Sequence, residues 1–203
     1  MTQSLRFLFT APPSIGRRPA IFLDRDGVIN ERIVDGYVTN WQEFRFVDSA
    51  VSVLRDLARL RVPTLVISNQ SGVGRGLVSR GTLRQITQRF VAALERRGGR
   101  IDGVYYCPHR PDEGCPCRKP RPGLLFRAAR DWRIDLGASV MIGDTVGDVQ
   151  AAQAAGCRSI LIDPGSAAVA SGTAPLVEPR PEPIIIHGLT QVPQLVGQLL
   201  GRS

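Results

Sequence analysis

Five short apolar runs alternate with helical stretches, and this alternation constrains the fold more than any other feature of the chain. The runs occupy residues 20–23, 63–68, 101–106, 139–142 and 159–162. Between them, residues 47–61, 82–97, 122–131 and 146–155 repeat apolar positions near a helical period, and Gly98-Gly99 and Gly156 supply stops. Short runs that are apolar throughout suit strands buried on both faces. Strands alternating with helices predict an α/β fold whose central parallel sheet is covered on both sides. Residues 165–183, rich in Ala, Pro, Gly and Ser, read as a loop or linker, and residues 189–200 as a last helix. A chain of 203 residues is expected to form a single domain. Its core would span about residues 20–165, with residues 1–19 as an N-terminal extension and 165–203 as the loop and C-terminal helix.

In such sheets ligands sit beyond the carboxyl ends of the strands. The first run ends in Asp24-Arg25-Asp26-Gly27, the second in Ser68-Asn69-Gln70-Ser71-Gly72, and the fourth in Gly143-Asp144, with Asp148 four residues on. Any one of these aspartates alone is an ordinary turn or cap residue, and Asp144 could be a helix N-cap. Four carboxylates gathered at one crevice repel one another unless a cation neutralises them, and an all-oxygen site suits magnesium.

Charge adds a second clue. The formal charge is +8, yet 25 of the 26 basic residues are Arg, scattered in runs no longer than two. Scattered Arg with 6% aromatic content predicts no specific nucleic-acid partner, whereas a phosphate-bearing small molecule suits the same charge. The single Lys is Lys119. A compact ammonium in a chain that otherwise uses the planar guanidinium points to a tight phosphate pocket; the alternative is chance.

Cys107-Pro108-His109 followed, after five residues, by Cys115-Pro116-Cys117 places three of four cysteines and one of two histidines within eleven residues. Three thiolates and an imidazole make a closed tetrahedral set, which predicts a structural zinc. A disulfide or unbound thiols are the alternatives. Cys157 reads as core and His187 as a packed or surface residue. No apolar run reaches the roughly 18 residues of a membrane span, and the run at residues 7–9 is too short for a signal peptide. The expectation is a cytoplasmic protein without a membrane partner.

Taken in order, the aspartate pair, Ser68, Lys119, and Gly143-Asp144 with Asp148 resemble the haloacid dehalogenase (HAD) superfamily of phosphohydrolases over roughly residues 21–162. The resemblance implies a three-layer, Rossmann-like HAD fold with a zinc-binding loop insert and no large cap domain. It implies that Asp24 is the nucleophile and Asp26 the general acid/base. It further implies that Ser68, Asn69 and Lys119 hold the phosphoryl group. Magnesium would be bound by Asp24, the Asp26 carbonyl and Asp144, with Asp148 in support. Residues 24–30, 35–38 and 68–76 are most similar to the branch of heptose bisphosphate phosphatases. The short gap between His109 and Cys115 is more similar to histidinol-phosphate phosphatases. Arg118 and Arg75 are the expected grip on a spectator phosphate of a sugar bisphosphate, and a monomer is expected. Phosphatases of nucleic-acid ends and zinc-knuckle nucleic-acid-binding modules are the competing classes.

Overall fold

The computed structural model describes residues 3–163 and 182–201. The linker expected at 165–183 therefore lies almost wholly outside the described residues. Seven strands form one sheet: β1 (Leu5–Leu8), β2 (Ile21–Leu23), β3 (Thr64–Asn69), β4 (Gly103–Cys107), β5 (Val140–Gly143), β6 (Arg158–Ile162) and β7 (Ile184–Ile186). Their order is β1-β4-β3-β2-β5-β6-β7. The five expected strands are its interior and pair in parallel.

Two strands were not expected. β7 adds a parallel edge beside β6, and β1 pairs antiparallel with β4, so the sheet is mixed rather than wholly parallel. Residues 1–19 are thus not a mere extension, since Leu5–Leu8 belongs to the sheet.

Alternate side chains of a strand face opposite sides, and here they feed two separate cores. Ile21, Leu23, Val66, Val104, Tyr106, Ile142 and Ile160 pack on one face with α1 (Ala50–Ala58), α3 (Arg80–Glu95) and α6 (Val192–Leu199). Phe22, Leu65, Ile67, Tyr105, Cys107 and Met141 pack on the other with α4 (Gly123–Trp132) and α5 (Val146–Ala154). Both faces are dry, which is why the strands read as continuous apolar runs. A short helix, α2 (Ser71–Gly74), follows β3 directly. Among the described residues, no inserted segment builds a second domain over the sheet's carboxyl edge.

The expected helix bounds shift where local chemistry sets them. Residues 47–49 stay outside α1, because Ser49 adopts φ +64 before the helix begins. The Ser79 hydroxyl accepts from the Thr82 amide and starts α3 two residues early. At α5 the N-cap is Thr145, not Asp144. The Thr145 hydroxyl accepts from the Asp148 amide, and the Asp148 carboxylate accepts from the Thr145 amide and hydroxyl at 3.1 and 2.6 Å. This capping box leaves Asp144 free to face the crevice.

Chain direction across the sheet reverses at β2, which lies between β3 and β5. The crevice beyond β2, β3 and β5 is the topological switch point, where ligands of open α/β sheets bind.

Candidate active site

Three strand ends deliver the acidic residues to that switch point. Asp24 follows β2, and its amide donates to the Ile142 carbonyl of β5 at 2.9 Å. Asp144 follows β5, and Asp148 lies one turn into α5. Carboxylate oxygens of Asp24, Asp144 and Asp148 lie within 4.8 Å of one another. Close approach of backbone makes this packing possible. Gly27 has φ +91, and any Cβ there would run into the Asp144 carboxylate; a Cβ at Gly143 would run into Asp148.

Lys119 answers two of these charges. Its ammonium is buried, donates to the Ile67 carbonyl at 2.8 Å, contacts the Asp24 carboxylate at 3.0 Å and pairs with Asp148. Three acceptors for three N–H donors leave no room for a planar fork, which accounts for the one Lys in an Arg-rich chain. Asn69 fixes this lysine in place. Its amide nitrogen donates to the Lys119 carbonyl and its oxygen accepts from the Lys119 amide, both at 3.1 Å. Both ends of the Asn69 side chain are thus spent on the Lys119 backbone rather than turned to the cleft.

Asp26 is held differently. Its Oδ1 accepts from Arg25 Nη2 at 2.7 Å, Arg25 Nε at 3.1 Å and Asn30 Nδ2 at 2.9 Å, while Oδ2 accepts from Gln70 Nε2 at 2.6 Å. Burial pushes this carboxyl up, but the charge and hydrogen bonds of the Arg25 guanidinium, with the Asn30 and Gln70 amides, outweigh it and hold it below the usual range. Asp24 goes the other way. Burial raises it to about 7 against the pull of Lys119, with Asp148, Asp26 and Asp144 adding repulsion. Two carboxyls two residues apart therefore have opposite protonation preferences: with no cation counted, these surroundings favour the carboxylate at Asp26 and the neutral acid at Asp24. Gln70 also donates to the buried Ser68 hydroxyl at 3.2 Å, tying the end of β3 to Asp26.

Four carboxylates stand against three cationic side chains in direct ion pairs: Arg25 on Asp26, Arg32 on Asp144, and Lys119 on Asp24 and Asp148. The cluster keeps an excess of negative charge, and its donors are hard oxygens. Such a set fits magnesium. Asp24, Asp144 and the Asp26 carbonyl are the atoms that would hold the ion, with Asp148 behind them.

The second metal set closes on itself. Cys107 Sγ lies 3.4 Å from His109 Nδ1 and 3.5 Å from Cys115 Sγ; Cys117 Sγ lies 3.2 Å from His109 Nδ1 and 3.5 Å from Cys115 Sγ. Ligand bonds of about 2.1–2.3 Å in a tetrahedron set ligand–ligand edges of about 3.6 Å, so the cluster fits zinc, slightly contracted. Sulfurs 3.5 Å apart are not disulfide-bonded, and all four cysteines are free. Cys157 is buried core, and His187 is exposed, its ring contacting the Asp163 carbonyl.

The acidic cluster opens into a cleft of about 780 Å³ lined by Asp24, Asp26, Ser68, Asn69, Lys119 and Thr145. Arg118 and Arg75 line the same cleft, Arg118 tethered to the His109 carbonyl of the metal loop at 3.4 Å. Residues 32–38 form another wall. The structure thus brings Asp24, Asp26, Ser68, Lys119, Asp144 and Asp148 together at the reacting end, whereas Asn69, expected on the phosphoryl group, spends its side chain on the Lys119 backbone. Sequence reasoning assigned no role to Arg25, Asn30, Gln70 and Arg32. The first three stand inside the quoted motifs, which was their only signal; Arg32 had none.

A family profile described as HAD-hydrolase-like matches residues 116–192. The D-glycero-beta-D-manno-heptose-1,7-bisphosphate 7-phosphatase of Yersinia pestis is 39% identical over 164 residues, spanning 77% of this chain and 86% of its own. The enzyme of the same name from Photorhabdus laumondii is 43% identical over 141 residues, spanning 66% of this chain and 74% of its own. The crystal structure of D,D-heptose 1,7-bisphosphate phosphatase from B. bronchiseptica, complexed with magnesium and phosphate, superposes with a TM-score of 0.79 at 34% identity, covering 89% of this chain and 98% of that one. With the fold, the ordered motifs and these relatives in agreement, the chain belongs to the HAD-like hydrolases, in the branch of the heptose-bisphosphate phosphatases.

Proposed function

We propose that this chain is a magnesium-dependent phosphomonoesterase that removes the 7-phosphate of D-glycero-D-manno-heptose 1,7-bisphosphate through an aspartyl-phosphate intermediate. The observation that carries the reading is the meeting of Asp24, Asp26, Ser68, Lys119, Asp144 and Asp148 at one strand-end crevice, in a chain about 40% identical to enzymes of that name.

An Asp24 carboxylate oxygen attacks phosphorus and the ester P–O bond breaks. Asp26 takes up a proton from solvent against the preference of Arg25, Asn30 and Gln70, and gives it to the departing sugar oxygen. Asp26 then takes a proton from water, and the hydroxide attacks phosphorus. The P–O bond to Asp24 breaks, and inorganic phosphate leaves. Lys119 and the Ser68 hydroxyl balance charge on the phosphoryl oxygens throughout. Magnesium held by Asp24, Asp144 and the Asp26 carbonyl would supply Lewis-acid stabilisation of the same oxygens and favour the Asp24 carboxylate. Arg25, Asn30 and Gln70 favour the Asp26 carboxylate, the form that activates water in the second half.

Arg118 and Arg75 would hold the 1-phosphate, so its binding energy can orient the reacting end. A phosphorylated sugar thus fits the cleft better than a neutral ester. The test is a substrate panel containing the heptose bisphosphate, the matching 7-monophosphate, histidinol phosphate and a 5′-phosphorylated oligonucleotide. The expected result is the highest kcat/KM on the bisphosphate, with Arg118→Ala impairing the bisphosphate much more than the monophosphate. Faster turnover of histidinol phosphate would overturn the substrate and leave the chemistry standing.

A further inference from the structure

Arg32 lies on the segment between β2 and α1, and its side chain is 46% exposed. Its guanidinium nevertheless reaches across 112 residues of sequence to Asp144. Nη2 donates to Asp144 Oδ1 and Oδ2, both at 2.7 Å, and Nε donates to Oδ2 at 3.1 Å. The same Nη2 donates to the Asp26 carbonyl at 3.3 Å. Those acceptors, the Asp144 carboxylate and the Asp26 backbone oxygen, are two of the three ligands that the functional reading gives to magnesium. A guanidinium on these oxygens competes, for lone pairs and by like charge, with a cation that takes the same oxygens at about 2.0–2.1 Å. Lys119, by contrast, bonds Asp24, Asp148 and the Ile67 carbonyl, and touches neither acceptor. Arg32 is therefore the cationic side chain on two of the three magnesium ligands, and Lys119 is the one on the third, Asp24.

The displaced guanidinium has an evident destination. Arg32 lines the cleft that holds Arg75 and Arg118, and the segment carrying it is exposed on both sides. A planar fork released there suits bidentate grip on a phosphate or another anionic group of a ligand. From this geometry, and resting on the phosphatase reading above, we propose that Arg32 exchanges partners: it is an internal competitor of the divalent cation in the free protein and, once displaced, a substrate-anion ligand that sets specificity. Cation loading and substrate capture are then coupled, because the metal frees the arginine that the substrate uses. Removing the side chain should loosen the second step and tighten the first.

The test uses the full zinc-loaded protein dialysed free of magnesium, titrated with Mg²⁺ by calorimetry, as the parent and as Arg32→Met and Arg32→Lys. The methionine keeps an unbranched apolar stem and removes the charge and the fork. Arg32→Met is expected to bind Mg²⁺ about fivefold more tightly, the scale of a half-exposed bidentate ion pair. Added sodium chloride should narrow that difference, and Arg32→Lys should fall between the two. In Mg²⁺-saturated protein, the KM of Arg32→Met for the bisphosphate should rise about fivefold or more, and by more than its KM for p-nitrophenyl phosphate. Melting curves that coincide at saturating Mg²⁺ would establish that the variants fold alike. Equal or weaker Mg²⁺ binding by Arg32→Met overturns the competition, and an unchanged bisphosphate KM overturns the partner exchange. A parent protein that binds no Mg²⁺ at all would instead sink the functional reading itself, a distinct outcome of the same titration.

Discussion

Lys119→Met separates the roles of the one lysine more sharply than any other substitution. Methionine keeps the stem and removes the ammonium. Asp24 and Asp148, 9% and 1% exposed at their side chains, then lose their common counter-charge, and the Ile67 carbonyl loses a donor. Leaving a buried ion pair with one partner missing costs about 3–5 kcal/mol. For a chain of this size that is roughly a 6–20 °C drop in melting temperature. Relief comes from protonation: Asp24 already sits near 7 with Lys119 present, so without it the carboxyl stays neutral at higher pH. The deficit should therefore be largest near pH 8 and shrink toward pH 5. Magnesium, drawn to the same carboxylates, should recover part of it. Urea unfolding of parent and variant at pH 5.5 and 8, with and without Mg²⁺, measures each term. A variant as stable as the parent at pH 8 in metal-free buffer would show that Lys119 does not carry the charge balance assigned to it. Activity should fall by about 10²–10³ in kcat, the scale of losing one stabiliser of transition-state charge.

Asp24→Asn should abolish turnover because an amide cannot accept the phosphoryl group, and Asp26→Asn should slow it about a hundredfold or more; steady-state and single-turnover assays check both. Cys115→Ser should lower zinc content in metal analysis from one per chain and reduce turnover through the loosened Arg118-Lys119 segment, while stoichiometric zinc in an active Cys115→Ser protein would argue against the cluster. A third measurement is pH. Because burial raises Asp24 from its ordinary value to about 7, the folded metal-free protein binds this proton more tightly than the unfolded chain. Its contribution to stability is present below about pH 4 and is lost as pH rises toward about 7. The stability difference between parent and Asp24→Asn should follow that window and flatten when Mg²⁺ is added; a pH-independent difference would count against the shift.

The interior of this fold was legible because its strands are buried on both faces. Ile21–Leu23 and Val140–Gly143 contain no exposed position, so each reads as an unbroken apolar run. The edges were not. In Leu5–Leu8 half-buried and exposed residues alternate around Arg6, and Ile184–Ile186 is three residues long at the end of a Pro-rich stretch. Catalytic candidates were legible for a related reason: strand ends place Asp24, Ser68 and Asp144 directly, without help from distant side chains. Contacts that depend on the folded path were hidden. Nothing in the chain announces that the Asn69 amide clasps the Lys119 backbone fifty residues on, or that Arg32 lies on Asp144. Helix starts were misjudged where a single residue decides them, as Ser49 does with its left-handed turn before α1.

The antiparallel strand β1 bears on solubility. β4 feeds the metal loop and is five residues long, apolar and fully buried. Without β1 its outer rim of amide and carbonyl groups would lie open, a template on which another chain could add a strand. β1 closes that rim over four residues and makes a poor template itself. It is short, carries Arg6 in its middle, and anchors that arginine to Asp131 on α4 at 2.6 Å. The seven-stranded sheet thus ends, on the side nearest the metal loop, in a short, charged strand of the kind that discourages further growth.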